Sequence, residues 1–171
     1  MKKKHIIATV GVLTVGATAT VAAVFANSIK KKMLPYDEKY SFTGDKKVFE
    51  GAFESDSYAV SFGGLALDFR EATLKDNLGT LRLFGHFSGI DIVVPDEWIV
   101  KTIGIFRNSG VNNQADEETN ENQPTLIIKH DLLYSGLNIR RASFTKEITE
   151  DTEEATEKMM SEAKSFNEAT K

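Results

Sequence analysis

Between residues 48 and 143 the chain alternates apolar and polar positions in short runs, the period of a strand with one buried face. Four of these runs open alike. They are Phe62-Gly63-Gly64-Leu65-Ala66-Leu67, Phe87-Ser88-Gly89-Ile90-Asp91-Ile92, Phe106-Arg107-Asn108-Ser109-Gly110-Val111 and Tyr134-Ser135-Gly136-Leu137-Asn138-Ile139. The shared pattern is an aromatic residue, a small or polar one, glycine, then aliphatic residues at alternate positions; the third copy carries one extra residue. The aromatics stand 25, 19 and 28 residues apart. Each unit reads as strand, tight corner, strand. The aromatic is expected to point into the core, worth about 1.5–3 kcal/mol. The glycine is expected to take a positive φ, which costs a residue with a Cβ about 1–2 kcal/mol.

Self-similarity at this period predicts a stacked array in which one rung cannot cover its own apolar face and its neighbours complete the core. An antiparallel β-sandwich with glycine in its hairpins is the competing arrangement. Val48, Phe49 and Phe53 are expected to begin the first rung. Pro95-Asp96-Glu97-Trp98 reads as a turn, with Pro95 fixing φ and Trp98 covering the edge of the core. Residues 112–124 form a polar loop without apolar anchors.

Residues 6–26 hold no charge over 21 positions. A helix of that length rises about 31 Å, close to the hydrocarbon thickness of a bilayer. Lys2, Lys3 and Lys4 precede it, and Lys30, Lys31 and Lys32 follow it. The expectation is an uncleaved single-pass anchor with its N-terminus inside and the β domain outside; a cleaved secretory signal ending at Val24-Phe25-Ala26 is the alternative. Gly16 with Thr20, or Ala19 with Ala23, would let a second helix approach and form a homo-oligomer. The predicted organisation is therefore an anchor with basic flanks at 1–32, a linker at 33–47, the β domain at 48–143 and an acidic helical tail at 144–171. In that tail Ile148, Ala155, Met159, Ala163 and Phe166 fall near one helical face. The tail is expected to dock on the array, to bind a partner, or to stay exposed.

Charge narrows the function. Residues 1–32 carry six lysines and no acid, while residues 146–171 carry four lysines and eight acids. The chain has no broad basic face, so nucleic acid is not an expected partner. It has no cysteine, which excludes disulfides and thiolate chemistry. His5, His86 and His130 assemble no catalytic motif, and His130 and Asp131 face opposite sides of any strand. Asp116, Glu117, Glu118 and Glu121 lack the spacing and the turn glycine of a calcium loop. Asp68, Arg70 and Glu71 read as a surface ion-pair cluster. No catalytic residue, cofactor or metal is expected, and the chain is not expected to be an enzyme.

The segments "VSFGGLALDFREATL", "GHFSGIDIVVPDEWIV" and "PTLIIKHDLLYSGLNI", within about 58–141, resemble the C-terminal domain of LiaF-type proteins of the cell-wall-active antibiotic response. Val94-Pro95-Asp96-Glu97-Trp98 resembles that group's turn after the second copy, with Glu97 where glycine is common. Only Phe62-Gly63-Gly64 keeps both glycines. The resemblance implies a right-handed single-stranded β-helix, or toastrack. It also implies a membrane-linked sensory or interaction role in envelope stress, with a membrane or envelope protein as partner and no catalytic residues. LiaF proteins carry several membrane spans, whereas one is expected here. A structural or adhesin-like surface protein is the alternative function.

Overall fold

The computed structural model describes residues 25–116 and 122–143. Of the predicted anchor at 1–32, residues 1–24 lie outside the described residues, so that only Phe25 and Ala26 of its uncharged stretch are described, and the predicted helical tail lies outside them from residue 144. Among the described residues no helix is long and apolar enough to cross a membrane.

The described chain is mainly β. A helix, α1, occupies 25–33. Ten strands follow: β1 (Glu38–Ser41), β2 (Gly44–Phe53), β3 (Ser55–Ser61), β4 (Gly64–Leu74), β5 (Leu78–His86), β6 (Gly89–Val94), β7 (Ile99–Arg107), β8 (Gly110–Asn113), β9 (Thr125–Leu133) and β10 (Gly136–Arg141). They form two five-stranded sheets, ordered β1-β3-β5-β9-β7 and β2-β4-β6-β10-β8. Every pairing is parallel. Each rung places one strand in each sheet, an arrangement consistent with a β-solenoid and not with an antiparallel sandwich.

The first rung begins earlier than Val48. Residues 33–47, read from the sequence as a linker, contain β1 and the start of β2, and Phe42-Thr43-Gly44 is a fifth copy of the corner unit. It stands 20 residues before Phe62, within the repeat's own spacing. Charged residues after its glycine, Asp45, Lys46 and Lys47, hide it from a search for alternating aliphatics. An end rung has solvent on one side and tolerates that charge.

Rung order does not follow chain order. The last rung in sequence, β9–β10, inserts between β5–β6 and β7–β8. Residues 95–98 carry the chain past the gap, with Trp98 N–H donating to the Pro95 carbonyl at 3.2 Å. The polar stretch after β8 brings it back. A loop longer than a simple corner is what this return requires.

One core fills the space between the sheets. From the first sheet it takes Tyr58, Val60, Leu81, Leu83, Leu126, Ile128 and Leu132; from the second, Leu65, Leu67, Phe69, Ile90, Ile92, Leu137 and Ile139. Trp98 is fully buried in this core, not at its edge, with its ring 5.8 Å from Phe69. A smaller cluster lies outside the first sheet, where Ile29 and Met33 of α1 pack on Ala59 and Phe84.

Candidate functional site: the glycine trough and its aromatic ladder

The corners are built differently from the expectation. Positive φ belongs not to the glycines but to the residue two places earlier: Phe42 (57°), Phe62 (54°), Phe87 (48°), Asn108 (48°) and Tyr134 (51°). Gly64, Gly89, Gly110 and Gly136 have ordinary extended backbone. The aromatics also point outward, and all four are exposed. An L-residue in the left-handed region turns the chain sharply and throws its side chain off the strand face. The strain costs about 1–3 kcal/mol at each site.

Two sets of contacts offset it. The corner N–H groups continue the ladder across rungs: Phe42 to Ser61 O (3.0 Å), Phe62 to His86 O (2.9 Å), Phe87 to Leu133 O (3.0 Å) and Tyr134 to Arg107 O (3.0 Å). The rings stack in one column. Phe42 lies 5.0 Å from Phe62 at 3°, Phe62 lies 5.3 Å from Phe87 at 12°, and Phe87 lies 4.7 Å from Tyr134 at 6°. Each such pair contributes about 0.5–1.5 kcal/mol beyond area burial. Phe106 is outside this column. The corner of its rung is Asn108, which tolerates the left-handed region through its short polar side chain. The extra residue of the third copy is thereby accounted for: Gly110 pairs with Gly136, and the N–H groups of Tyr134 and Gly110 donate to Arg107 O and Ser135 O, which sets Asn108-Ser109-Gly110 beside Tyr134-Ser135-Gly136.

The middle position of the unit is also functional in the corner. Buried Ser88 and Ser135 share a hydrogen bond at 3.2 Å, and Ser135 N–H donates to Ser109 Oγ at 3.0 Å. At the second rung this place is Gly63, where an added Cβ would sit 1.9 Å from Thr43 O. Only glycine fits there.

The glycine column Gly44, Gly64, Gly89, Gly136, Gly110 is in register across all five strands of the second sheet. A Cβ added at Gly89, Gly110 or Gly136 meets nothing within 4 Å, and at Gly44 or Gly64 only a carbonyl at 3.8 Å. Neither conformation nor packing demands glycine at these five places. Their shared effect is a bare strip of backbone on the outside of the sheet, about 19 Å long at normal strand spacing. It forms an open, mainly apolar trough of about 750 Å³. Along one flank runs a polar ladder two residues further on. Asn112 Nδ2 donates to Asn138 Oδ1 at 2.9 Å, and Asn138 Nδ2 donates to Asp91 Oδ1 at 2.7 Å. Arg140 pairs with Asp91 and holds that carboxylate in place.

No protein-family model, curated protein or solved structure matches this chain.

The remaining sequence candidates are dispersed. Asp68 is buried and held in a two-pronged pair by Arg70, Nε to Oδ1 at 2.9 Å and the terminal nitrogen to Oδ2 at 2.6 Å. Arg70's hydrogen bonds keep the Asp68 carboxyl below the usual range despite burial. His130 faces the core and Asp131 the outside, as strand alternation requires. His86 is buried on the outer side of the first sheet among the rings of Phe25, Phe62 and Phe87, with centroids at 5.4, 5.4 and 4.8 Å. Neither of its ring nitrogens has a hydrogen-bond partner among the described residues. Burial, and secondly Lys32, push its pKa below the usual value. Pro95 and Trp98 belong to the crossing between rungs, away from the trough.

Proposed function

We propose that this chain is a membrane-anchored, non-enzymatic interaction module of the cell-envelope stress response, built as a right-handed single-stranded β-helix of the LiaF-like kind. One observation carries the interaction reading. Five successive rungs omit a side chain at an outward position where an added Cβ meets nothing closer than 3.8 Å. A strip of exposed backbone and methylene, with a fixed Asp–Asn–Asn ladder beside it, gives apolar contact and hydrogen bonding to an extended segment of a protein partner. The array of parallel rungs and the aromatic–small–glycine repeat support the LiaF-like reading. The uncharged stretch 6–26 and its flanking lysines support the anchor. The domain is then held outside the membrane, close to envelope proteins.

The test fills the trough without disturbing the fold. Gly89→Leu with Gly136→Leu is compared with wild type by crosslinking in native membranes. Wild type is expected to capture one defined envelope membrane protein, and the filled variant to lose it while its circular dichroism and melting stay near wild type. Capture of the same protein by both forms removes the trough as the interface. Capture of only lipid and random neighbours by wild type removes the interaction module.

A further inference from the structure

The two ends of the stack are not equivalent. At the first, β1 is only four residues long, and β1 and β2 carry Glu38, Lys39, Asp45, Lys46, Lys47 and Glu50. Shortness and charge keep an edge from recruiting another strand. At the other end β7 is a nine-residue edge strand. Its consecutive run Ile103-Gly104-Ile105-Phe106 is exposed, with Ile103 at 60%, Ile105 at 61% and Phe106 at 60%.

The position of each side chain explains this. Phe106 continues the inward row Val60, Gly85, Leu132 and so stands over the open end of the core. Ile105 continues the outward row Ala59, Phe84, Asp131. α1 covers Ala59 and Phe84, reaches Asp131 through Lys32 at 3.6 Å, and leaves Ile105 open. Among the described residues, the chain after β8 shields only the beginning of β7: Ala115 is fully buried, and its carbonyl accepts from Val100 N–H at 2.9 Å. A stacked array needs a cap at each end, and the second half of β7 has none among the described residues.

We propose that residues 144–171 lie across β7 and cap this end, an inference that does not depend on the trough or on any partner. The point of departure is right. Beyond β10, Ser143 is pinned to the turn before β7, its N–H and Oγ–H both donating to Asp96 Oδ1 at 2.9 Å. The segment therefore starts at the head of the strand that lacks cover. The reach is right. Ile99 to Phe106 spans about 23 Å of strand, and 28 residues in helical form extend about 42 Å. The chemistry is right. Ile148, Met159 and Phe166 supply apolar side chains at helical spacing, which match the exposed apolar side chains of Ile103, Ile105 and Phe106 on β7. Tethering adds an effective concentration in the millimolar range, which a second copy of the chain does not match in dilute solution.

The chain has no cysteine, so a single introduced thiol reports on one position. Ile105→Cys is made in the full chain, reconstituted at one copy per lipid nanodisc, and labelled with a charged maleimide. Lys75→Cys, at an exposed site on the connection between β4 and β5, with β9 lying between β5 and β7, is the reference. Ile105→Cys is expected to label at least about tenfold more slowly than the reference. Adding Met159→Asp and Phe166→Asp is expected to bring the two rates together. In a second measurement, Ile105→Cys with Met159→Cys is expected to form an intramolecular disulfide. Three results overturn the proposal: unprotected Ile105→Cys, protection that survives both aspartates, or disulfides that form only between tagged and untagged copies.

Discussion

At the scale of the residue, glycine does two different jobs in this chain. At Gly104 a Cβ would lie 1.9 Å from His130 O, a backbone atom that cannot move aside cheaply. At Gly89 a Cβ enters open space with ordinary φ. Gly104→Ala is expected to destabilise by about 1–3 kcal/mol through overpacking. Gly89→Ala is expected to be neutral, or to stabilise by up to about 1 kcal/mol by restricting the unfolded chain. Urea denaturation of both variants checks the contrast, and equal losses would remove the distinction. The corner aromatics invite a second test. Phe87→Asn keeps a residue tolerant of the left-handed region but loses two stacked partners, for a loss of about 1–3 kcal/mol. Phe87→Val loses the same stacking and adds a β-branched side chain at φ 48°, which is expected to cost about 1–2 kcal/mol more. A Val variant as stable as the Asn variant would mean that backbone strain does not govern the corner.

At the scale of the element, α1 is joined to the first sheet through a small apolar cluster and one buried histidine. Because folding lowers the His86 pKa, the unfolded chain binds more protons below the ordinary value of 6.5. The histidine's contribution to stability is therefore complete above about pH 6.5 and declines as pH falls through and below it. His86→Phe keeps a ring among Phe25, Phe62 and Phe87 without a titrating group. Its melting temperature is expected to fall less than that of wild type between pH 7.5 and pH 5.5, as read by circular dichroism. Identical slopes for the two proteins would show that this histidine does not set the acid response of the joint.

At the scale of the whole molecule, the inserted rung governs cooperativity. β7 pairs only with β9, and β8 only with β10. Residues 99–113 thus have no ladder until the chain beyond them has folded into place. Ile128 is fully buried in the inserted rung, and Ile128→Ala is expected to cost about 2–4 kcal/mol. In hydrogen exchange, the lost protection is expected first in 99–113 and 125–141, and last in 55–74. Uniform loss across all five rungs would show that the stack unfolds as one unit.

The corner unit and its repetition are legible in the order of the residues alone. Alternating aliphatics marked the strands, and Phe62, Phe87 and Tyr134 with their following glycines marked three corners. Those signals are local, set by strand period and by the turning of a few residues. Which residue of the corner carries the positive φ was not legible, because an aromatic before a glycine reads equally well as core. The bare trough was not legible either, since a glycine required by backbone shape and one that leaves a gap look alike in a string of letters. The fifth copy at Phe42 was masked by charges that only an end rung tolerates. The order of the rungs follows from the folded arrangement. Each rung offers the same parallel edges and a similar apolar interior, so periodicity does not say that β9–β10 belongs between β5–β6 and β7–β8. That choice depends on how the interiors pack and how far the connections reach, and neither is a property of any single stretch of chain.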